Sequence, residues 1–398
     1  MVKLYTAITR EIDNPQEAVR EIIDQLKPEQ NMLKNTIGIV FFYCEFAEAG
    51  ACQAIADALP FETVGCVSTY VGTCGQYDDV ALSVTMITGD DITFTVKTVD
   101  NSGDKSHEQI TDEIKQLCAG FSAAGKPKVV IPFMPMLQKF SGDDLVATVN
   151  ALPETLPLFG TMAFNMENLA GPHYVLSGKK LYSDMFVFIA FYGDFEPKFR
   201  IVSSFDFEEG FGNIVEIKEA AGSILKNVNG VSALEYLKNQ GILTSDNTVT
   251  GTGVWAVPAI LMYPDGTRVV RAFLGIVEGT EYIYATGAME AGAKIKFAYL
   301  DGEKTLASAE KLFQQISDAE ENGIIAFSCA GRSWSLGVNY FEETQKIAEC
   351  AEKYLLQNDA PLMYSVAYSG GEICPVTDNE GKLVNVLHNY TLVSCAFC

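Results

Sequence analysis

The chain has 398 residues, 48% of them hydrophobic, and its 28 basic and 51 acidic side chains give a formal charge of −23. That charge repels phosphate backbones and anionic headgroups, so we expect no nucleic-acid partner. No apolar run reaches the roughly 20 residues of a spanning helix, and no secretory signal opens the chain, so we expect a cytoplasmic protein without membrane insertion.

A repeated order of strands and helices runs through the first half of the chain. In the first copy, apolar runs and turn residues predict a strand, a helix and two further strands, at 36–43, 49–59, 79–88 and 92–99. The second copy follows the same order, at 128–133, 143–152, 184–192 and 199–202. We therefore predict an internal duplication, with copies at about 36–99 and 127–202, in which Gly-Asp turns join the last two strands as a hairpin.

A helix at 106–121 lies between the copies, and Gly210 to Asn213 interrupts the pattern. We place a boundary there, which gives a first domain at 1–212 and a second at 213–398. The second domain opens with a strand, a helix, a hairpin and a helix, at 214–217, 232–239, 255–273 and 305–317. It closes with a unit resembling the N-terminal copies, at 324–328, 341–356, 362–368 and 383–397. We predict an α/β fold of mixed α+β character, with two domains of repeated strand-helix-strand units, mixed and partly antiparallel sheets, and helices outside.

The apolar strand at 323–328 breaks into Cys329-Ala330-Gly331-Arg332, which sets a thiol and a guanidinium at a strand end. Arg332 has a planar fork suited to a carboxylate or phosphate, and Gly331 lets the backbone approach a ligand. The alternative for Arg332 is an internal ion pair with a glutamate. Cys329 either fills the strand end as a small side chain or acts as a nucleophile.

Two glutamates are candidates to complement the guanidinium. Glu343 lies four residues before Ile347 on the apolar stripe of its helix, so it should point inward, where it either caps backbone amides or faces a cavity. Glu372 follows Gly370-Gly371, which permit positive φ and a sharp turn at a strand end. Glu372 therefore either faces a ligand or is a solvated turn residue.

The third candidate segment is His388-Asn389 in the last predicted strand. By alternation His388 shares the face of Val386 and Tyr390, so it is either a hydrogen-bonded core residue or a ligand-binding residue. Beside Cys329, it would also complete a thiol-nucleophile site. We expect the three separated segments to converge on one pocket.

The charges of these segments suggest a class of ligand. Arg332 with Glu372 or Glu343 offers one cation and one or two anions, which suits a zwitterion such as an amino acid. The sequence has no phosphate-binding loop, nucleophile elbow or zinc-binding helix motif, and it contains only three histidines. We therefore predict no cofactor and no metal.

Ten cysteines are scattered through the chain, many of them in apolar strands, which is typical of reduced core thiols. Cys395 and Cys398 have the spacing of a redox or metal motif. They close a strand and lack a second such pair, so the alternative is a packed strand end.

Several motifs of the C-terminal half occur in a characteristic order: Phe327 to Arg332, Leu336-Gly337, Glu343, Tyr368 to Ile373, and Leu387 to Thr391. In this order they resemble the FIST family of intracellular signal-transduction sensor domains. The N-terminal half is similar to the family in two glycine segments, Gly65 to Thr69 and Phe159 to Thr161. It departs from the family pattern at 70–74 and 161–163, so we place the ligand site in the C-terminal half.

The resemblance implies a bacterial sensory module that binds a small ligand, with amino acids suggested for the family. We expect neither an F-box nor an output domain, so the partner would be a separate kinase, chemoreceptor or cyclic-dinucleotide signalling protein. The alternatives are a thiol-dependent enzyme using Cys329 with His388, and a ligand-independent interaction scaffold. The residues expected to bind the ligand are Cys329, Gly331, Arg332, Glu343, Gly370, Gly371, Glu372, His388 and Asn389.

Overall fold

A computed structural model describes residues 2–101, 103–136, 140–168, 171–205, 208, 210–242, 255–318, 321, 323–358, 361–378 and 380–397. Cys398, and with it the predicted spacing motif at the C-terminus, lies outside these residues. Within the described ranges, no helix combines the length and the apolar character needed to cross a membrane.

The chain forms three similar units, and a fourth sheet is inserted into the last of them. The first unit contains β1 (Lys3–Thr9), α1 (Pro15–Leu26), α2 (Pro28–Asn31), β2 (Asn35–Phe42), α3 (Cys44–Glu48), α4 (Ala51–Ala58), β3 (Glu62–Val67), β4 (Val71–Thr73), β5 (Gln76–Asp78) and β6 (Leu82–Gly89). The second contains β7 (Ile92–Asp100), α5 (His107–Ala123), β8 (Val129–Pro135), α6 (Gly142–Asn150), β9 (Gly160–Ala163), β10 (Val175–Ser177), β11 (Lys180–Tyr182) and β12 (Met185–Gly193).

The third unit begins with β13 (Pro197–Ser203). The inserted sheet follows, with β14 (Phe211–Ala221), β15 (Ile224–Val228), β16 (Val231–Ser232), α7 (Ala233–Asn239), β17 (Trp255–Met262), β18 (Arg268–Ile276), β19 (Ile283–Ala285) and β20 (Lys294–Phe297). The unit then resumes with α8 (Gly302–Asp318), β21 (Gly323–Cys329), α9 (Ala330–Leu336), α10 (Glu342–Asn358), β22 (Met363–Ser369), β23 (Glu372–Thr377), β24 (Leu383–His388) and β25 (Thr391–Phe397).

The strands of the three units pair in the same way. An inner strand pairs in parallel with the strand that follows the helix and antiparallel with the last strand of its unit, as β2 does with β3 and β6. The equivalent pairs are β8 with β9 and β12, and β21 with β22 and β25. The first strand of each unit joins its last strand. The repeated strand-helix-strand units and mixed sheets expected from the sequence are confirmed.

Each unit also lends its short hairpin to a neighbouring unit. The β4–β5 hairpin extends the third sheet at β22, β10–β11 extends the first sheet at β3, and β23–β24 extends the second sheet at β9. Three six-stranded sheets are thereby linked in a closed cycle. Phe41, Phe133 and Phe327, from the equivalent strands β2, β8 and β21, meet between the sheets, with the Phe41 ring 6.0 Å from Phe133 and 5.7 Å from Phe327.

Three of the expected strand connections are wrong. The turn at 89–91 does not close a hairpin, because β6 lies in the first sheet and β7 pairs with β12 in the second. The turn at 193–194 likewise passes from the second sheet to the third. The predicted strand at 383–397 is two strands in different sheets, separated at Tyr390, which has a φ of 58°. Local turn residues show that the chain bends but do not specify the strand that it pairs with afterwards.

The inserted sheet has seven strands in the order β14-β20-β17-β18-β19-β15-β16 and is antiparallel. Its core is separate from those of the three units and includes Ile217, Phe273 and Phe297. The predicted hairpin of β17 and β18 is confirmed. Strands from both sides of residue 212 share a sheet, since β13 and the β4–β5 hairpin pair with strands of the C-terminal half.

Candidate functional site

Arg332, on α9, forms a buried ion pair with Glu343 at the start of α10. Its Nε and Nη2 atoms donate to Oε1 of Glu343 at 2.9 and 2.5 Å. Nη2 also donates to the Thr305 carbonyl at 3.0 Å and to Oγ of Ser308 at 2.8 Å. The guanidinium is therefore held from α8 and α10 together, while its Nη1 atom is buried and lacks a hydrogen-bond partner among the described residues.

The inward orientation predicted for Glu343 is confirmed, because its side chain is fully buried. Its second oxygen, Oε2, accepts hydrogen bonds from the hydroxyls of Ser328 and Tyr368, both at 2.8 Å. Burying a charge is costly unless it is paired and hydrogen-bonded, and here both carboxylate oxygens have such partners. Glu343 thus joins the end of β21 to the helices rather than presenting a charge to a cavity.

Glu372 begins β23 and is also fully buried, so the solvated-turn alternative is wrong. Its Oε1 accepts from the Ser369 hydroxyl at 3.1 Å and its Oε2 from the Thr391 hydroxyl at 2.8 Å. Burial raises the pKa of the Glu372 carboxyl to about 8, although both hydroxyls and the nearby Arg332 lower it. At neutral pH this group is therefore mostly protonated, which weakens it as a partner for an ammonium ion.

The turn before Glu372 is shaped by packing. Neither Gly370 nor Gly371 has a positive φ, so the sequence argument for these glycines was wrong. A Cβ atom on Gly370 would lie 2.3 Å from the sulfur of Met136, and one on Gly371 would lie 3.0 Å from Nδ2 of Asn389. The two glycines make room for side chains of the protein itself.

Cys329 lies at the end of β21 and lines a narrow cavity of about 20 Å³ with Gly331, Gly370 and Asn389. A Cβ atom on Gly331 would come within 2.6 Å of the Tyr390 ring, so that ring occupies the space expected for a ligand. Burial, followed by the charge of Glu372, raises the pKa of the Cys329 thiol well above its ordinary value. A nucleophilic thiolate needs the opposite shift.

A much larger cavity, of about 700 Å³, lies where the inserted sheet meets the third unit. Residues of β17, β18, α8 and the end of β13 form its walls, and His388, Asn389 and Thr391 contribute polar groups. Its lining also includes the cationic side chains of Arg268 and Lys304. Of the predicted ligand-binding residues, this cavity contains His388 and Asn389.

The imidazole of His388 is neutral at physiological pH. Burial, with a further contribution from the nearby Arg271, lowers the pKa of His388 to about 3. A hydrogen bond to the Cys374 backbone raises the pKa, but by less. The Nε2 atom is buried and has no hydrogen-bond partner in the described part of the chain. Buried polar atoms are rarely left unpaired, and Nε2 of His388 shares this state with Nη1 of Arg332.

Sequence reasoning missed Arg271, a second buried arginine, on β18. Its Nη1 donates to the carbonyl of Leu387 at 3.1 Å and to Oδ1 of Asn389 at 3.3 Å, and its Nη2 donates to Oδ1 of Asp143 at 3.0 Å. The signal available was an arginine inside the apolar run Val269 to Phe273, since a charge in such a run is buried only with partners. Arg271 thus ties the inserted sheet to both β24 and α6.

The structure brings the expected residues into one region but divides them among three environments. Arg332 and Glu343 form the buried ion pair, Cys329, Gly331 and Gly370 line the narrow cavity, His388 lines the large one, and Asn389 lines both. Glu372 pairs with His388 in the β23–β24 register and contacts the large cavity through Thr391. In the ranges that the structure describes, no group of three or more metal-ligating side chains is placed to hold a metal ion.

Comparison with protein-family models gives two matches, the FIST N domain over residues 36–231 and the FIST C domain over residues 233–375. No curated protein matches the chain. Among solved structures, phosphoribosylformylglycinamidine synthase II from Thermotoga maritima is 11% identical with a TM-score of 0.20, and covers 100% of this chain and 72% of its own. The structure of PurLQS from the same organism is 7% identical with the same TM-score and coverage. A TM-score of 0.20 does not indicate a shared fold, so neither structure informs the function of this chain.

Proposed function

Because the chain belongs to the FIST family, whose domains are signal-transduction sensor domains, we propose that it is a sensory module that binds a small polar ligand in the 700 Å³ cavity. The observation that carries the proposal is the cavity itself, whose lining sets the polar residues His388, Asn389 and Thr391 beside apolar side chains. The ligand therefore carries hydrogen-bonding groups of its own together with an apolar part.

The rest of the lining supports a ligand with both polar and apolar parts. Asn389 and Thr391 offer an amide and a hydroxyl beside His388, whereas Ile260 and Val270 form an apolar wall. Pockets of this kind fix a ligand through a few polar groups and gain affinity from apolar burial. An amino acid meets these requirements with its polar groups toward Asn389 and Thr391 and its side chain on the apolar wall, and the volume also accommodates larger molecules.

The position of the cavity supports a relay to a separate signalling partner. A ligand there touches the inserted sheet at Val270 and the third unit at Asn389. Arg271, next to Val270, binds Asn389 and Asp143, so a shift of the inserted sheet would be felt in the second unit as well. A kinase, a chemoreceptor or a cyclic-dinucleotide signalling protein would read such a shift. The nine described cysteines are all free thiols, which supports a cytoplasmic setting.

A thermal-shift screen of amino acids and related metabolites, followed by calorimetry, tests the proposal. A true ligand at a hundredfold excess over its Kd stabilises the protein by about 2.7 kcal/mol. His388→Leu should weaken this stabilisation, because it replaces a polar residue of the lining by an apolar one, and Ala307→Trp should block the cavity from α8. His107→Leu, on the exposed surface of α5, is the matched control and should leave it unchanged. A screen without hits, or a hit that binds His388→Leu as well as the native protein, would overturn the proposal.

A further inference from the structure

A second concavity, of about 210 Å³, lies where the β4–β5 hairpin of the first unit meets the start of α10. It is separate from the cavity of the proposed sensor site. Aromatic rings and carboxylates dominate its lining, in the form of Tyr70, Tyr77, Tyr340, Phe341, Asp78 and Asp79. The described lining residues include no lysine or arginine.

Three of these rings pack against one another along one side of the concavity. Tyr70 and Tyr340 stack with centroids 5.0 Å apart and an interplanar angle of 23°. Phe341 stands edge-on to Tyr340 at 5.8 Å and is 42% exposed. Aromatic faces attract cations through the ring quadrupole, and most strongly where water is partly excluded.

The carboxylates give the concavity a net negative charge. Asp78 forms an ion pair with Arg10, which compensates one of the two charges. Asp79 accepts a hydrogen bond from the Tyr340 hydroxyl at 2.7 Å, and this bond raises the pKa of Tyr340 to about 12. The phenol thus stays neutral, and the charge of Asp79 is oriented beside the rings without being neutralised by them.

The equivalent junction in another unit already holds a cation. Asp79 is the first residue after the β4–β5 hairpin, and Asn389 is the first residue after the β23–β24 hairpin. There, the guanidinium of Arg271 lies between Asn389 and Asp143, at the start of the helix α6. The junction after the β23–β24 hairpin therefore contains an internal cation, whereas the junction after the β4–β5 hairpin is an open concavity.

We propose that the concavity at Tyr70, Asp79 and Tyr340 is a binding site for an organic cation of the ammonium class, such as an alkylated ammonium group. The alkyl groups would pack against the ring surfaces that line the concavity, and Asp79 would supply the counter-charge. This chemistry could belong to a free small molecule or to a methylated lysine of a peptide.

Titration with choline, followed by calorimetry and ligand-observed NMR, tests the site directly. Choline should bind saturably at millimolar concentrations, and its neutral isostere 3,3-dimethylbutan-1-ol should not, because only choline carries the charge. Asp79→Asn and Tyr340→Leu should each weaken choline binding by about tenfold. Asp112→Asn, which removes an exposed carboxylate on α5, and His388→Leu should have no effect.

The outcomes separate the proposal from its alternatives. A trimethyllysine peptide that binds more tightly than choline would assign the site to a protein partner, whereas choline binding as tightly as the peptide would assign it to a free cation. Equal responses to choline and the neutral isostere, or choline binding that survives both site variants, would overturn the proposal. Circular dichroism of Asp79→Asn and Tyr340→Leu checks that each variant is folded.

Discussion

Replacing Glu372 by glutamine should change how the stability of the protein depends on pH. In the folded state the pKa of Glu372 is about 8, because the carboxyl is buried, whereas an unfolded glutamate has a pKa of about 4.3. The buried neutral carboxyl therefore stabilises the fold fully below about pH 4.3. This contribution is lost as the pH rises through about 8, where the buried group must ionise.

The magnitude follows from the linkage between protonation and folding. Between the two pKa values the folded state binds one more proton than the unfolded state, so stability falls by about 1.4 kcal/mol per pH unit. From pH 5 to pH 8 this amounts to about 4 kcal/mol relative to a side chain that does not titrate. Glutamine at 372 provides that reference, since it has nearly the shape of the protonated acid and can bond the Ser369 and Thr391 hydroxyls.

The assay is urea unfolding of the native protein and Glu372→Gln between pH 5 and pH 8. Far-UV circular dichroism and intrinsic fluorescence should both be recorded, because coincident transitions justify a two-state analysis. The native protein should lose its advantage over the variant steadily as the pH rises. A difference that is flat across this range, or that grows with pH, would refute the reasoning and show an ionised Glu372 paired with a cation such as Arg332.

Three further predictions concern the same region. Arg332→Met should lower the free energy of unfolding by about 3–5 kcal/mol, because it leaves Glu343 buried and unpaired. Adding Glu343→Leu should restore most of this loss. A double variant that is no more stable than Arg332→Met in urea unfolding would contradict the ion-pair argument. Gly331→Ala should cost about 1–3 kcal/mol, because the new Cβ would press on the Tyr390 ring, and an unchanged melting temperature would count against this. Iodoacetamide should alkylate Cys329 more slowly than free cysteine at neutral pH, since burial raises the thiol pKa, and peptide mapping that finds faster labelling would revive the nucleophile hypothesis.

The sequence was most informative about burial. The apolar stripe of its helix predicted that Glu343 points inward, and the continuous apolar run at 323–328 predicted a buried strand. Both are buried in the structure. Helical and strand periodicity predict the buried face because each side chain's direction follows from the local backbone. Periodicity does not predict which residue a buried group contacts. Gly370, for example, makes room for Met136, which is more than two hundred residues away in sequence.

The repeated units and the mixed sheets were determined by the sequence itself, since apolar periodicity acts over a few residues. Tertiary structure alone decided that each hairpin joins a neighbouring sheet, and that Arg271 ties the inserted sheet to Asn389. It also decided that Arg332 is committed to Glu343 while the large cavity forms around His388. These outcomes depend on which distant surfaces pack together, and the pattern along a single strand or helix does not specify its neighbour.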